Sequence, residues 1–324
     1  MSFALGANLP WIRYGGDFGA NSWSPDGGLA TRPDDQRRAL DVLLRLRDLG
    51  LTRLRWFFLC DLRAGVRFRE NGMPIELDRS VWRDVDAALD IVRRAGLLLM
   101  PVLFDFHLVR PRRLVNGVQL GGRARLIRLQ DFRTALLDNI VSPLLAQYGH
   151  APEIDAWDLF NEPEWATFGV GTWNPISSVS RSAMRTFLRA LADRTHADTR
   201  HAATVGTASA QTLSLVQGLT LDFYQPHWYD RFEPRTPLAR PTSALGCDRP
   251  VILGEFPTCN SARSPAELFA TAERHGFAGA YFWSAMADDE HSHLGQAATA
   301  LASRILPTST TPPDESSGSP DTSH

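Results

Sequence analysis

The chain of 324 residues contains no lysine, so all 34 of its basic residues are arginine. Codon bias is the plain explanation, since either cation solvates a surface. The absence still removes chemistry. Without Lys there is no Schiff-base nucleophile, no lysine of a phosphate-binding loop and no amine general base. Lysine-dependent aldolases, pyridoxal enzymes and P-loop nucleotide enzymes are therefore excluded. Cysteine is scarce as well: Cys60, Cys247 and Cys259 are the three present. An odd count at wide spacing is no disulfide framework. A straight strand over 250–256 would hold Cys247 and Cys259 roughly 23 Å apart, too far for a bridge. Charge of one sign is missing too. A net charge of −2 leaves no basic face for nucleic acid. No apolar run approaches the roughly 20 residues that span a bilayer. Residues 1–16 lack a basic start and a long apolar stretch, which predicts no signal peptide and a cytoplasmic location. A different true N-terminus would make the protein secreted.

What is there is apolar material, 44% of residues, enough for a large core. Short apolar runs alternate with longer amphipathic ones. Strands are predicted at 3–9, 52–59, 97–104, 154–160, 201–206, 221–226, 250–256 and 277–283. Helices are predicted at 34–49, 78–95, 129–148, 178–196, 209–217, 238–246, 264–275 and 293–305. Gly50 and Gly96 sit where C-terminal caps belong, and Asp78 where an N-cap belongs. Ser264 and Glu267, with Pro265 between them, spell a capping box. Eight strand–helix units with continuously apolar strands imply a parallel sheet buried on both faces. At this length they predict an α/β fold, a single-domain (β/α)8 TIM barrel over 1–306. No Gly-x-Gly-x-x-Gly follows a strand, which disfavours a dinucleotide fold. Residues 307–324 are mostly Ser, Thr, Pro and Asp with no bulky apolar side chain, and predict a disordered tail.

In such a barrel the strand C-termini carry the active site. Strand two offers Arg55 there, strand three Asp105 and His107, and strand four Asn161-Glu162-Pro163-Glu164. Strand six ends in His227 and Tyr229, strand seven in Gly254-Glu255-Phe256 and strand eight in Trp283-Ser284. A carboxylate at the end of a buried apolar run needs a pairing or functional reason. Glu162 and Glu255 meet that description across the barrel mouth. Two carboxylates about 5 Å apart are what a retaining glycosidase uses, one as proton donor and one as nucleophile. Like charge and burial raise one pKa while an Arg and hydrogen-bond donors keep the other ionised.

With these residues the chain resembles clan A of the glycoside hydrolases over roughly 1–305, most like family 5, the cellulase and mannanase type. The resemblance implies a retaining β-glycosidase that needs no cofactor and no metal and takes an oligosaccharide or glycoside. It implies Glu162 as acid/base and Glu255 as nucleophile. It further implies Asn161 at the sugar 2-hydroxyl, Arg55 and Tyr229 beside the nucleophile, His107 and His227 in the cleft, and Trp283 under the sugar. The segment 6–19 is longer than the usual first-strand start, and Trp11, Asp17 and Trp23 could line the cleft. Trp173, in the loop after strand four, is a further sugar-binding candidate. Asp105, Asp158 and Glu164 are read as orienters or barrel-wall partners.

Three other readings compete. The first is a barrel that binds carbohydrate without turnover, against which the intact Glu162/Glu255 pair argues. The second is a metal-dependent hydrolase built on Asp288-Asp289-Glu290-His291-Ser292-His293. That run follows the last strand and reads as a solvated loop edging the cleft. The third keeps the fold and mechanism but acts on a small glycoside or biosynthetic intermediate inside the cell.

Overall fold

A computed structural model describes residues 3–231, 233 and 237–305. The tail expected over 307–324 lies outside the described residues. Eight parallel strands form the barrel: β1 (Ala4–Asn8), β2 (Arg53–Phe57), β3 (Leu98–Val102), β4 (Ala156–Asn161), β5 (Ala202–Thr207), β6 (Gln225–Pro226), β7 (Leu253–Pro257) and β8 (Gly279–Trp283). Each pairs with its sequence neighbour, and β1 closes on β8 in the register Ala4–Gly279 to Asn8–Trp283. The strand expected at 221–226 shrinks to two residues. Around it the backbone still reaches β7: Tyr224 donates to the Pro250 carbonyl and Trp228 to that of Glu255, each at 2.9 Å. Bridges at Tyr224–Val251 and His227–Glu255 complete a nearly closed barrel.

Local chemistry explains the helices. Asp78 accepts from the Ser80 and Val81 amides and opens the helix Arg79–Ala95. Gly96 closes it with φ 69°, a left-handed turn that favours glycine. The Ser264/Glu267 capping box is present and starts the helix Pro265–Arg274. The helix expected over 129–148 is broken into Gln130–Leu136, a π-turn Leu137–Val141 and Ser142–Tyr148. Pro143 lacks the N–H that an unbroken ladder requires there. The stretches 209–217 and 238–246 are too short of apolar stripe for α-helix. They form 3-10 turns at Ala210–Leu215, Pro237–Ala239 and Thr242–Leu245.

Alternation along the strands sorts side chains into two cores. Leu54, Trp56, Leu99 and Trp157 join the large cluster beneath the helices. Inward-facing positions fill the barrel in layers. Met100, Ala156, Ile252 and Tyr281 pack together at the N-terminal end. A charged layer follows, and then an aromatic mouth of Phe57, Tyr229 and Trp283 with Trp11 and Tyr14 against it. Among the described residues no helix is long and apolar enough to cross a membrane.

Candidate active site

The charged layer is built on Arg55, which is fully buried. Its Nε donates to Asp158 Oδ2 at 2.8 Å, Nη1 to Asn8 Oδ1 at 2.9 Å and to Glu255 Oε1 at 2.6 Å, and Nη2 to Asn161 Oδ1 at 2.6 Å. Asp158 also accepts from Gln225 Nε2 and the Gly206 amide. A buried guanidinium is tolerable because every face of it meets an acceptor. Space for it depends on Gly206, where a Cβ would stand 2.8 Å from both Arg55 Nη2 and His227 Nε2.

Glu255 rises from this layer at the end of β7. Besides Arg55, it accepts from Tyr229 Oη at 2.9 Å. Burial raises its pKa, opposed by the Arg55 guanidinium and the Tyr229 hydrogen bond. Glu162 follows β4 with left-handed backbone angles, φ 50° and ψ 59°. Its Oε1 lies 2.9 Å from His227 Nδ1, and its Oε2 accepts from Trp165 Nε1 at 3.0 Å. Burial pushes its carboxyl up to about 7, and the more distant Arg55 opposes this only in part. His227 is fully buried, and burial lowers its pKa to about 4. It is therefore neutral near pH 7, and its contacts with the two carboxyls are hydrogen-bonding contacts rather than ion pairs. Arg55 is the permanent cation of the pair's surroundings.

Carboxyl oxygens of Glu162 and Glu255 and a ring nitrogen of His227 all lie within 4.8 Å of one another. That closeness could serve a metal, but Glu255 already receives donors on both oxygens, one from a guanidinium. The spacing instead matches a carboxyl pair of the retaining kind, well below the roughly 6.5–9.5 Å of an inverting pair. Above the pair opens a cavity of about 540 Å³ whose walls include Trp11, Asn161, Glu162, Tyr229, Glu255, Trp283 and His107. Trp283 donates from Nε1 to Asp289 at 2.7 Å, which fixes its ring plane in the cavity wall.

Three expected cleft residues, Asp17, Trp173 and Trp23, do not line the cavity. Asp17 is buried beneath the segment 10–17 and receives the Ile12 and Arg13 amides, Trp56 Nε1 and the Arg32 guanidinium. A carboxylate with four donors is a structural anchor: it holds the loop that presents Trp11. Trp173 is 76% exposed, edge-on to Phe168 at 5.8 Å, and does not line the cavity. Its loop leaves the barrel mouth after Trp165. Trp23 is half-exposed and donates to the Val115 carbonyl.

Several wall residues were not foreseen. Tyr14 donates to Asp105 at 2.5 Å beneath the guanidinium of Arg63. Phe57, Phe106, Arg110 and Trp165 also face the cavity. Phe57 is the last residue of β2, Phe106 and Trp165 stand four residues beyond the ends of β3 and β4, and Tyr14 and Arg110 lie in the longer loops that follow β1 and β3. Asp289 and His291 line the cavity as well, His291 packing on Tyr229 with centroids 5.1 Å apart. The segment 288–293 thus edges the cleft.

No family model matches the chain. It is 23% identical to a mannan endo-1,4-beta-mannosidase of Mytilus edulis, over 87% of this chain and 83% of that one. The crystal structure of an endo-1,4-beta-mannanase from Eisenia fetida superposes with a TM-score of 0.77 at 22% identity, covering 93% of this chain and 90% of the other. The beta-mannanase structure from Mytilus edulis gives 0.75 at 21%, covering 94% and 92%. These structural likenesses bear on the fold. The carboxyl spacing and the curated relatives make this chain a glycoside hydrolase of the retaining kind. It resembles clan A and is most like family 5.

Proposed function

We propose that residues 1–306 form one catalytic domain that cleaves β-linked mannosyl chains by double displacement, with Glu255 as nucleophile and Glu162 as acid/base. The observation that carries this reading is the pair of carboxyl groups, with oxygens within 4.8 Å of one another, at the floor of an aromatic cavity. The names of the relatives supply the sugar.

In the first step Glu255 attacks the anomeric carbon and Glu162 protonates the departing oxygen. The C–O bond to the leaving sugar breaks as the ester bond to Glu255 forms. Arg55 and Tyr229 donate to the Glu255 oxygens and keep them ionised and aimed. Glu162, raised to about 7 by burial, holds its proton through the slightly acidic range. In the second step Glu162 takes a proton from water, which attacks the same carbon and frees Glu255. Trp283 offers a flat apolar face for the sugar in the cleaved position, with Trp11 edge-on to it at 5.7 Å. Asn161, its Oδ1 held by Arg55, presents its amide to the 2-hydroxyl. His107 lines the same cavity, edge-on to Tyr14 at 5.5 Å.

The deciding experiment is proton NMR of products from soluble β-1,4-mannan, with cellulose and xylan as controls. We expect the β-anomer first, from mannan. The α-anomer appearing first would refute the double displacement. Turnover of cellulose or xylan in preference to mannan would refute the substrate.

A further inference from the structure

Behind Glu162 lies a second carboxyl that the displacement does not use. Glu164 is 1% exposed and sits two residues on, in the turn Pro163–Ala166. Its Oε1 lies 2.5 Å from Thr212 Oγ1, in the turn after β5, and that same oxygen lies 2.8 Å from the Ser209 carbonyl. A threonine hydroxyl carries one proton and cannot donate to both acceptors. The two short contacts are reconciled if Thr212 donates to Ser209 and Glu164 donates to Thr212. Glu164 Oε2 is buried with no hydrogen-bond partner among the described residues, a poor setting for an anion.

We propose that Glu164 is a neutral carboxylic acid whose proton, donated to Thr212, fastens the turn bearing Glu162 to the turn after β5, making it a positioning residue for the acid/base. The proposal rests on the reading of Glu162 given above. The groups facing Glu164 pull in both directions. The Thr212 hydroxyl and the Ala208 amide, from the turn after β5, and the amide of Glu164 itself favour the anion, while burial, the larger effect, and Glu162 from its own turn oppose it. Burial and that neighbour push the Glu164 carboxyl up to about 8. The backbone carbonyl of Glu164 also accepts from Thr167 and Gly171, so the turn is held at the carboxyl and at the main chain. When Glu164 loses its proton, Thr212 can no longer serve both acceptors, and a buried anion forms beside Glu162.

The test is kcat and KM against pH for the wild type and the Glu164→Gln, Glu164→Ala and Thr212→Val proteins, with thermal melts to confirm folding. A glutamine amide can donate to Thr212 as the acid does, so Glu164→Gln should stay within about threefold of wild type at pH 6. Folded Glu164→Ala and Thr212→Val should lose about tenfold or more in kcat, with KM little changed. Above neutral pH, the wild-type log(kcat/KM) should steepen toward a slope of two as both acids ionise. Glu164→Gln should keep a slope of one. Equal slopes in the two proteins, or wild-type kcat in Glu164→Ala, would overturn the proposal. Glu162→Ala separates the readings: it should lose turnover of unactivated glycosides and recover activity on an activated aryl glycoside with added azide. If it does neither, the acid/base assignment fails. If it does both while the Glu164 variants match wild type, this inference alone fails.

Discussion

The ends of β4 and β7 carry the same side chain in opposite settings. Glu255 meets a permanent cation and a phenol, with Arg55 at 2.6 Å and Tyr229 at 2.9 Å. Glu162 meets a neutral imidazole and an indole, with His227 and Trp165 at 2.9 and 3.0 Å. Both are buried, and burial alone would raise both pKa values. What separates them is where the barrel puts the Arg55 guanidinium. Arg55 sits in the layer below Glu255, bonded to it directly, and reaches Glu162 only through space. One environment therefore suits an anion that attacks, and the other an acid that gives up a proton late. Function follows from an asymmetry in donors rather than from any difference between the two carboxyls.

The contrast can be broken at several points. Glu255→Gln removes the nucleophile and should lower kcat on an aryl β-mannoside by on the order of 10⁵-fold. Steady-state rates at high enzyme concentration would show it, and near wild-type turnover would refute the assignment. Arg55→Met should strike stability and activity together, since it strands Asp158 and Glu255 in the interior. The expected loss is about 3–5 kcal/mol in chemical denaturation, as for other buried pairs missing one partner. Unchanged stability would mean that the layer is not held by that cation.

The barrel and its carboxyls were legible because they obey periodic rules. Apolar runs that end in a Glu announce a buried strand with a reason to carry charge, and both Glu162 and Glu255 stand at such ends. Elements that depend on long-range closure were less readable. The β6 strand holds two residues because Leu221 closes a tight turn on the Leu219 carbonyl and the Asp222 side chain takes the Ala203 amide, yet the bridge from His227 to Glu255 still carries the segment to the site. Loop residues were hardest. Asp17 and Trp11 are neighbours in an aromatic-rich segment, and nothing local says that one faces the cavity while the other anchors backbone amides beneath it. Tyr14 escaped notice because its partner, Asp105, is 91 residues away. The single proton shared among Glu164, Thr212 and Ser209 is likewise a tertiary fact with no sequence signature.

Smaller changes sharpen the comparison through pH. Tyr229→Phe removes a donor that favours ionised Glu255. That carboxyl should then keep its proton to higher pH, so the acid limb of kcat/KM moves upward while the basic limb stays. The rate at the optimum should fall by about 10²-fold, the usual loss for a donor aimed at a reacting oxygen. An acid limb that moves downward would contradict the assignment of Glu255.

Trp165→Phe is the mirror experiment and the mildest. Its indole N–H favours ionised Glu162 and so holds that carboxyl down against burial. Without it Glu162 should hold its proton longer, moving the basic limb from near 7 to higher pH and leaving the acid limb in place. The rate should change by only about two- to fivefold, because an acid that is harder to ionise is also a weaker donor, and the two effects oppose each other. The paired outcome is the informative one. Each substitution deletes a single donor from one carboxyl, and each should move only the limb that belongs to that carboxyl. If both limbs move in either protein, the carboxyls titrate as one coupled unit, and the separation of roles must then come from the substrate's position rather than from the donors around each acid.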